Sequence, residues 1–202
     1  MTKIKLCGLS RPCDIETANI LKPEYIGFVF YKKSRRFVSP EKAAELKKML
    51  DFDIKAVGVF VNEDVNAVAE LLKNGIIDIA QLHGSENEDY IKALRRLCEN
   101  PIIQAFRIGN ESDITAAERS SADFVLLDSG AGTGTVFDWK MIKNIKRPYF
   151  LAGGLSPENV EDAIDELTPY AVDVSSGIET DGFKDKIKMA AFVAAVRKEE
   201  KR

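Results

Sequence analysis

Histidine, cysteine and tryptophan are scarce in this chain. Its 202 residues include one histidine, His83, three cysteines, Cys7, Cys13 and Cys98, and one tryptophan, Trp139. A single histidine and cysteines without a CxxC pair provide no zinc-site spacing, so no metal is expected. The odd, scattered cysteines also argue against a disulfide framework. Long apolar runs are missing. None approaches the roughly 18 residues of a membrane helix, so no membrane partner is expected. No signal-peptide h-region is present, because Met1-Thr2-Lys3-Ile4-Lys5 enters a strand directly, and a cytoplasmic location is expected. An excess of basic charge is missing too. Lys and Arg number 29 against 32 Asp and Glu, a net charge of -3, so no nucleic-acid partner is expected. The one local basic cluster is Lys32-Lys33-Ser34-Arg35-Arg36. No linker, low-complexity stretch or charge block marks a second domain, so one domain is expected over residues 1–202.

What is present is an ordinary globular composition, 45% apolar and 30% charged, arranged as a repeat. Short apolar runs alternate with amphipathic stretches. Strands are predicted over Ile4–Leu6, Tyr25–Phe30, Lys55–Val61, Ile77–Leu82, Ile102–Arg107, Phe124–Leu127, Tyr149–Ala152 and Ala171–Val174. Most are near-continuous apolar runs, as in parallel strands buried on both faces. Helix starts fall between them. Ser39-Pro40-Glu41 reads as an N-cap, a proline at the first helical position and an acid, with Ala43, Ala44, Leu46 and Leu50 behind. Ser156-Pro157-Glu158 repeats the device ahead of Val160, Ala163, Ile164 and Leu167. Ser85-Glu86-Asn87-Glu88 has capping-box spacing, and Asp138 precedes Trp139, Met141, Ile142 and Ile145. A fifth helix, Ser112–Ser121, carries few large apolar residues. This strict alternation predicts an α/β fold, a (β/α)₈ barrel. The chain is short against the usual ~250 residues, and an open doubly wound sheet is the alternative.

Barrel enzymes place their chemistry at the C-terminal ends of strands. Asp128 ends the run Phe124-Val125-Leu126-Leu127 and opens the loop Ser129-Gly130-Ala131-Gly132-Thr133-Gly134-Thr135. Cys7 ends Ile4-Lys5-Leu6 and precedes Gly8. Two ionisable groups at two strand ends suggest an acid and a base facing one substrate. Cys7 equally fits a small buried hydrophobe, the reading adopted for Cys13 and Cys98 in their predicted helices. After strands seven and eight come Gly153-Gly154 and Ser175-Ser176-Gly177. Their amides, hydroxyls and adjoining helix starts predict a phosphate site. Arg36, over the mouth, is a candidate clamp for a carboxylate or phosphate. Gln81 and His83, at the fourth strand end, fit either a substrate contact or rim packing.

Taken in order, these segments resemble the phosphoribosylanthranilate isomerases of tryptophan biosynthesis. The matching stretches are Lys5-Leu6-Cys7-Gly8-Leu9, Gly27-Phe28-Val29-Phe30-Tyr31 with Lys33-Ser34-Arg35-Arg36, Val57-Gly58-Val59-Phe60-Val61-Asn62, and Gln81-Leu82-His83-Gly84. They continue with Leu127-Asp128-Ser129, Gly132-Thr133-Gly134, Phe137-Asp138-Trp139, Ala152-Gly153-Gly154-Leu155 and Val172-Asp173-Val174-Ser175-Ser176-Gly177-Ile178-Glu179. The resemblance implies a (β/α)₈ barrel and a cofactor-free Amadori rearrangement, the third step from chorismate to tryptophan. The phosphosugar substrate would be N-(5-phosphoribosyl)anthranilate and the product 1-(2-carboxyphenylamino)-1-deoxyribulose 5-phosphate. It also implies Cys7 as general base, Asp128 as general acid and Arg36 on the anthranilate carboxylate. Asp173 would lie near the substrate. Phosphate would fall to Gly153, Gly154, Ser175, Ser176 and Gly177. Leu6, Ala131 and Ser156 depart from the family's usual isoleucine, glycine and asparagine, and none of these changes removes a reacting group. The related histidine-pathway aminoaldose isomerases are the alternative enzyme, and they generally carry aspartate where Cys7 stands. A phosphosugar-binding barrel without catalysis is the non-enzyme alternative. The oligomeric state is not specified by the sequence, and a monomer is the simplest expectation.

Overall fold

A computed structural model describes residues 1–129, 142 and 145–198. Eight parallel strands follow one another around a closed barrel: β1 (Lys3–Cys7), β2 (Tyr25–Val29), β3 (Lys55–Phe60), β4 (Ile79–Leu82), β5 (Ile102–Arg107), β6 (Phe124–Asp128), β7 (Tyr149–Ala152) and β8 (Ala171–Val174). Each predicted strand is present with small differences at its ends. The open-sheet alternative fails because β8 pairs with β1, setting Lys3, Ile4, Lys5 and Leu6 against Ala171, Val172, Asp173 and Val174. Seven α-helices lie among the described residues: α1 (Pro12–Leu21), α2 (Pro40–Met49), α3 (Val65–Lys73), α4 (Glu88–Leu97), α5 (Glu111–Arg119), α6 (Val160–Leu167) and α7 (Lys186–Lys198). The glycine-rich loop after Ser129 and the helix predicted behind Asp138 lie outside the described residues, apart from the buried Ile142 and the partly buried Ile145. Among those residues no helix is long and apolar enough to cross a membrane.

Alternation along the strands divides the interior in two. Ile4 and Leu6, Ile26 and Phe28, Ala80 and Leu82, Val125 and Leu127, and Val172 and Val174 join one large cluster with the helices. Tyr25, Val57, Ile79, Ile103, Leu126, Phe150 and Ala171 form a second cluster, which fills the barrel together with Phe124 and Tyr170. Cys7, Val29 and Val59, with Tyr31 against them, make a third cluster toward the C-terminal strand ends. Both faces of each strand are therefore buried, which is why the runs read as continuous rather than alternating.

The caps confirm and correct the sequence reading. Ser39 caps α2, its side chain accepting from the Lys42 N–H. The capping box expected at Ser85 is not formed. Asn87 caps α4 instead: Glu88, the acid of that box, accepts from the Ser121 N–H, and Ser85 bonds to Asn62. The helix expected from Pro157 begins at Val160. The preceding turn is held by Asn159, whose Oδ1 accepts from Ser156 N–H and whose Nδ2 donates to the Gly154 carbonyl. Cys13 is exposed on α1 and so is not a buried hydrophobe, whereas Cys98 is half-buried at the end of α4.

A hairpin absent from the sequence reading follows β8: β9 (Glu179–Thr180) and β10 (Phe183–Lys184). Asp181 and Gly182 join them with φ of 51° and 83°, the two-residue turn that Asp-Gly favours. Arg11 fastens the start of α1 to this hairpin. It bonds to Asp14 and to the Lys184 carbonyl, and lies 5.1 Å from the centre of the Phe183 ring.

Phe150 anchors the barrel interior, with its ring centre 5.3 Å from Tyr25, 5.8 Å from Phe124 and 5.7 Å from Tyr170. Truncating it to alanine removes the middle of an aromatic cluster that cannot collapse without bending strands. Phe150→Ala should destabilise the fold by about 3–5 kcal/mol, measured by urea unfolding. A loss within about 0.5 kcal/mol, the usual bound for surface changes, would show that the inner core does not hold the barrel.

Candidate active site

At the C-terminal end of the barrel lies a cavity of about 320 Å³, within the range of small-molecule sites. Cys7, Arg36, Gln81, His83, Asp128, Gly153, Gly154, Asp173, Ser175 and Ser176 all line it. These candidates from six strand ends or following loops thus meet in one place. Gly177 alone does not line it. A Cβ there would stand 2.0 Å from the Leu155 carbonyl oxygen, so close packing of the β7 and β8 loops already requires glycine at this position. Val29, Tyr31, Ser34, Val59, Val61, Ala152 and Leu155 also line it.

Parity explains the convergence. Cys7, Gln81, Asp128 and Asp173 sit on the inward-facing positions of β1, β4, β6 and β8, where side chains project into the barrel. Cys7 is buried, and burial pushes its thiol up, opposed by the positive charge of Lys5. On β4, the Gln81 amide Nε2 lies 2.8 Å from His83 Nδ1, and His83 Nε2 lies 3.5 Å from Asp128 Oδ2. With the Gln81 amide donating to Nδ1, the imidazole presents its Nε2–H to the Asp128 carboxyl. Gly153, at φ 95°, leaves room for that carboxyl, because a Cβ would come within 2.7 Å of Asp128 Oδ1.

A second set of charges, which sequence reasoning missed, frames the cavity. Glu179 is buried on the hairpin and accepts from Arg36 Nε and Nη2 at 2.6 and 2.9 Å, from Arg35 Nη2 at 2.6 Å and from Lys184 Nζ at 2.7 Å. Burial works to raise its pKa, but the bonds from Arg36 and Lys184 prevail and hold it at about 2. Lys184 also donates to the carbonyl and the hydroxyl of Ser175, and the Ser175 hydroxyl lies 3.2 Å from the Cys7 carbonyl. The β8 loop is thereby tied to the end of β1. Lys5 was missed as well. It is wholly buried and pairs with Asp173 Oδ1 at 3.0 Å. Its place two residues before Cys7, on the same strand face, was the available signal. Among the described residues no group of three His, Cys, Asp or Glu could hold a metal ion.

A closed parallel barrel with an acid, a thiol and a basic rim around one mouth defines an enzyme of the (β/α)₈ class. The family model for N-(5'-phosphoribosyl)anthranilate isomerase matches residues 4–195, and this chain belongs to that family. The isomerase of Clostridium acetobutylicum is 45% identical over 207 residues, covering 98% of this chain and 99% of its own. That of Endomicrobium trichonymphae is 40% identical over 202 residues, with coverage of 98% and 99%. The crystal structure of the Thermotoga maritima enzyme superimposes with a TM-score of 0.90 at 34% identity, covering 98% of this chain and 100% of that one. Another isomerase structure, in complex with reduced 1-(o-carboxyphenylamino)-1-deoxyribulose 5-phosphate, gives 0.88 at 34% identity with the same coverage. The 3-hexulose-6-phosphate synthase of Salmonella typhimurium, 14% identical with a TM-score of 0.75 over 98% of this chain and 99% of its own, shares the fold alone.

Glu179 gives the fold an acid-sensitive latch. Its folded pKa of about 2 lies below the ordinary carboxyl value of about 4.3, so its stabilisation is complete above that value and fades as pH falls toward 2. Glu179→Gln should be less stable than the parent at neutral pH, and the gap should shrink on acidification through this window. Urea midpoints measured against pH check this, and a gap that stays constant from neutral pH down to pH about 2 would refute it.

Proposed function

We propose that this protein isomerises N-(5'-phosphoribosyl)anthranilate to 1-(2-carboxyphenylamino)-1-deoxyribulose 5-phosphate in the cytoplasm, as a step of tryptophan biosynthesis. The observation that carries the reading is the family match along the chain together with Cys7 and Asp128 on the walls of one cavity. The reaction needs one proton delivered and one removed, and side chains suffice for both, so no cofactor is required.

In the proposed sequence Asp128 protonates the ring oxygen of the aminoaldose, and the bond from that oxygen to the first sugar carbon breaks. The nitrogen lone pair completes the resulting imine. Cys7, as thiolate, then takes the proton from the second sugar carbon, and the electrons of that C–H bond form the enolamine. Tautomerisation yields the ketose. His83 faces the carboxylate that Asp128 becomes after giving up its proton, and Gln81 holds His83 in place for this.

Arg36 is anchored to Glu179 through Nε and Nη2, which leaves its remaining edge to meet the anthranilate carboxylate. Asp173 lines the cavity beside the sugar. Gly153, Gly154, Ser175 and Ser176 surround the phosphate, and Gly177 supports that loop through its packing on Leu155.

Cys7→Ala and Asp128→Asn should each lower kcat by about 10²–10⁴-fold, the usual scale for a positioned base or acid. Circular dichroism should show both variants folded. Near-normal turnover by either variant in a product-formation assay would remove that residue from the mechanism. Inorganic phosphate should inhibit competitively against the aminoaldose, because both need the Gly153–Gly154 and Ser175–Ser176 loops. Non-competitive inhibition would place the anion elsewhere.

A further inference from the structure

A buried cysteine is a poor source of thiolate, because a low-dielectric surrounding disfavours the charged form. Cys7 is in that position. Lys5 stands two residues earlier on β1, on the same inward face, so its ammonium occupies the layer directly below the thiol. It is 0% exposed, an unusual place for lysine, and its described salt bridge is to Asp173 Oδ1 at 3.0 Å. Asp173 is the register partner of Lys5 across the β8–β1 seam, and it also lines the cavity. The three groups form a compact triangle, with one cation serving an acid and a thiol.

We propose that Lys5 is the positioning residue for the Cys7 thiolate, and that Asp173 sets how much of the Lys5 charge reaches the sulfur. Lys5 attracts the thiolate and Asp173 repels it. Among the described residues, the other charges acting on Cys7 are Lys184 on β10, which favours the thiolate, and Arg36 on the loop after β2, whose charge interacts with that of Cys7. Both are already bound to Glu179, and much of their field is spent there. Lys5 is the cation whose balance a ligand can alter through Asp173, which lines the cavity. A sugar hydroxyl donating to Asp173 draws negative charge away from Lys5 and weakens the repulsion of the sulfur. Substrate then strengthens its own base. The proposal rests on the reading of Cys7 as base for its catalytic meaning, whereas the electrostatic triangle can be tested without turnover.

The test uses full-length protein carrying Cys13→Ser and Cys98→Ser, so that Cys7 is the sole thiol. Thiolate absorbance and the rate of iodoacetamide alkylation are followed against pH. A charge within ~4–6 Å shifts a neighbour by about 1–3 pKa units, so Lys5→Met should slow alkylation at neutral pH at least ~10-fold and move the thiolate midpoint upward. Asp173→Asn should do the opposite, with alkylation faster by ~10-fold or more and the midpoint lowered. Lys5→Arg should recover part of the loss caused by Lys5→Met. A role in packing alone would not give opposite signs. If Lys5→Met does not fold, Asp173→Asn carries the test, because asparagine keeps an acceptor for the lysine. An unchanged or raised midpoint in Asp173→Asn overturns the proposal, as does an unchanged midpoint in a folded Lys5→Met. Failure of the base reading would look different, with Cys7→Ala turning over normally while both titration shifts remain.

Discussion

Lys5 and Asp173 face each other across the seam where β8 meets β1, 3.0 Å apart and largely shut off from water. A barrel must close with one stagger, and closure removes the sheet edges that would otherwise pair with other chains. Sliding this seam by one residue would turn one of the two charges outward among the apolar helices and leave the other inside, so each would be buried without its partner. Breaking a buried pair costs about 3–5 kcal/mol, so the pair penalises the wrong register strongly. The same parity that keeps Lys5 inside brings Cys7 to the mouth two residues later. Closure of the fold and placement of the thiol are therefore one geometric event.

The mouth is organised around a second buried anion. Glu179 gathers Arg35, Arg36 and Lys184, and through Lys184 it holds Ser175 against the end of β1. Concentrating cations over a cavity serves an anionic substrate, but free arginines are mobile and mutually repulsive. One carboxylate on a tight hairpin gives them fixed directions while leaving a net positive rim. Such preorganisation lowers the cost of ordering these groups when a ligand arrives.

The site also bears on the neighbouring chemistries. A histidine-pathway aminoaldose isomerase catalyses the same type of rearrangement on a larger, bisphosphorylated substrate, and generally carries aspartate where this chain has Cys7. The family match to N-(5'-phosphoribosyl)anthranilate isomerase spans residues 4–195, and curated relatives reach 45% identity over 98% of the chain. A barrel that only binds a phosphosugar would have no need for a thiol and a carboxyl on its cavity wall. In the proposed role Cys7 would reach its anionic form nearer neutral pH than a tyrosine phenol, provided a cation offsets its burial.

The sequence by itself determined the alternation of strands and helices, the Ser39 cap and the strand ends bearing Cys7, Gln81, Asp128 and Asp173. These depend on local periodicity and on turn chemistry within a few residues, which a chain carries openly. It also carried the resemblance that named the family. The roles of Lys5, Glu179 and Lys184 were decided only by tertiary structure. Lys5 meets Asp173 across 168 positions, and Arg36 meets Glu179 across 143, so no short-range pattern could announce either contact. The Asp181-Gly182 turn was legible in principle, but two flanking strands of two residues each are too short to show a period. The box expected at Ser85 failed for the same kind of reason: its acid, Glu88, accepts from the Ser121 N–H 33 positions away, and Ser85 bonds to Asn62. Charge finds its partner in space, and closing the barrel decides which residues are neighbours there.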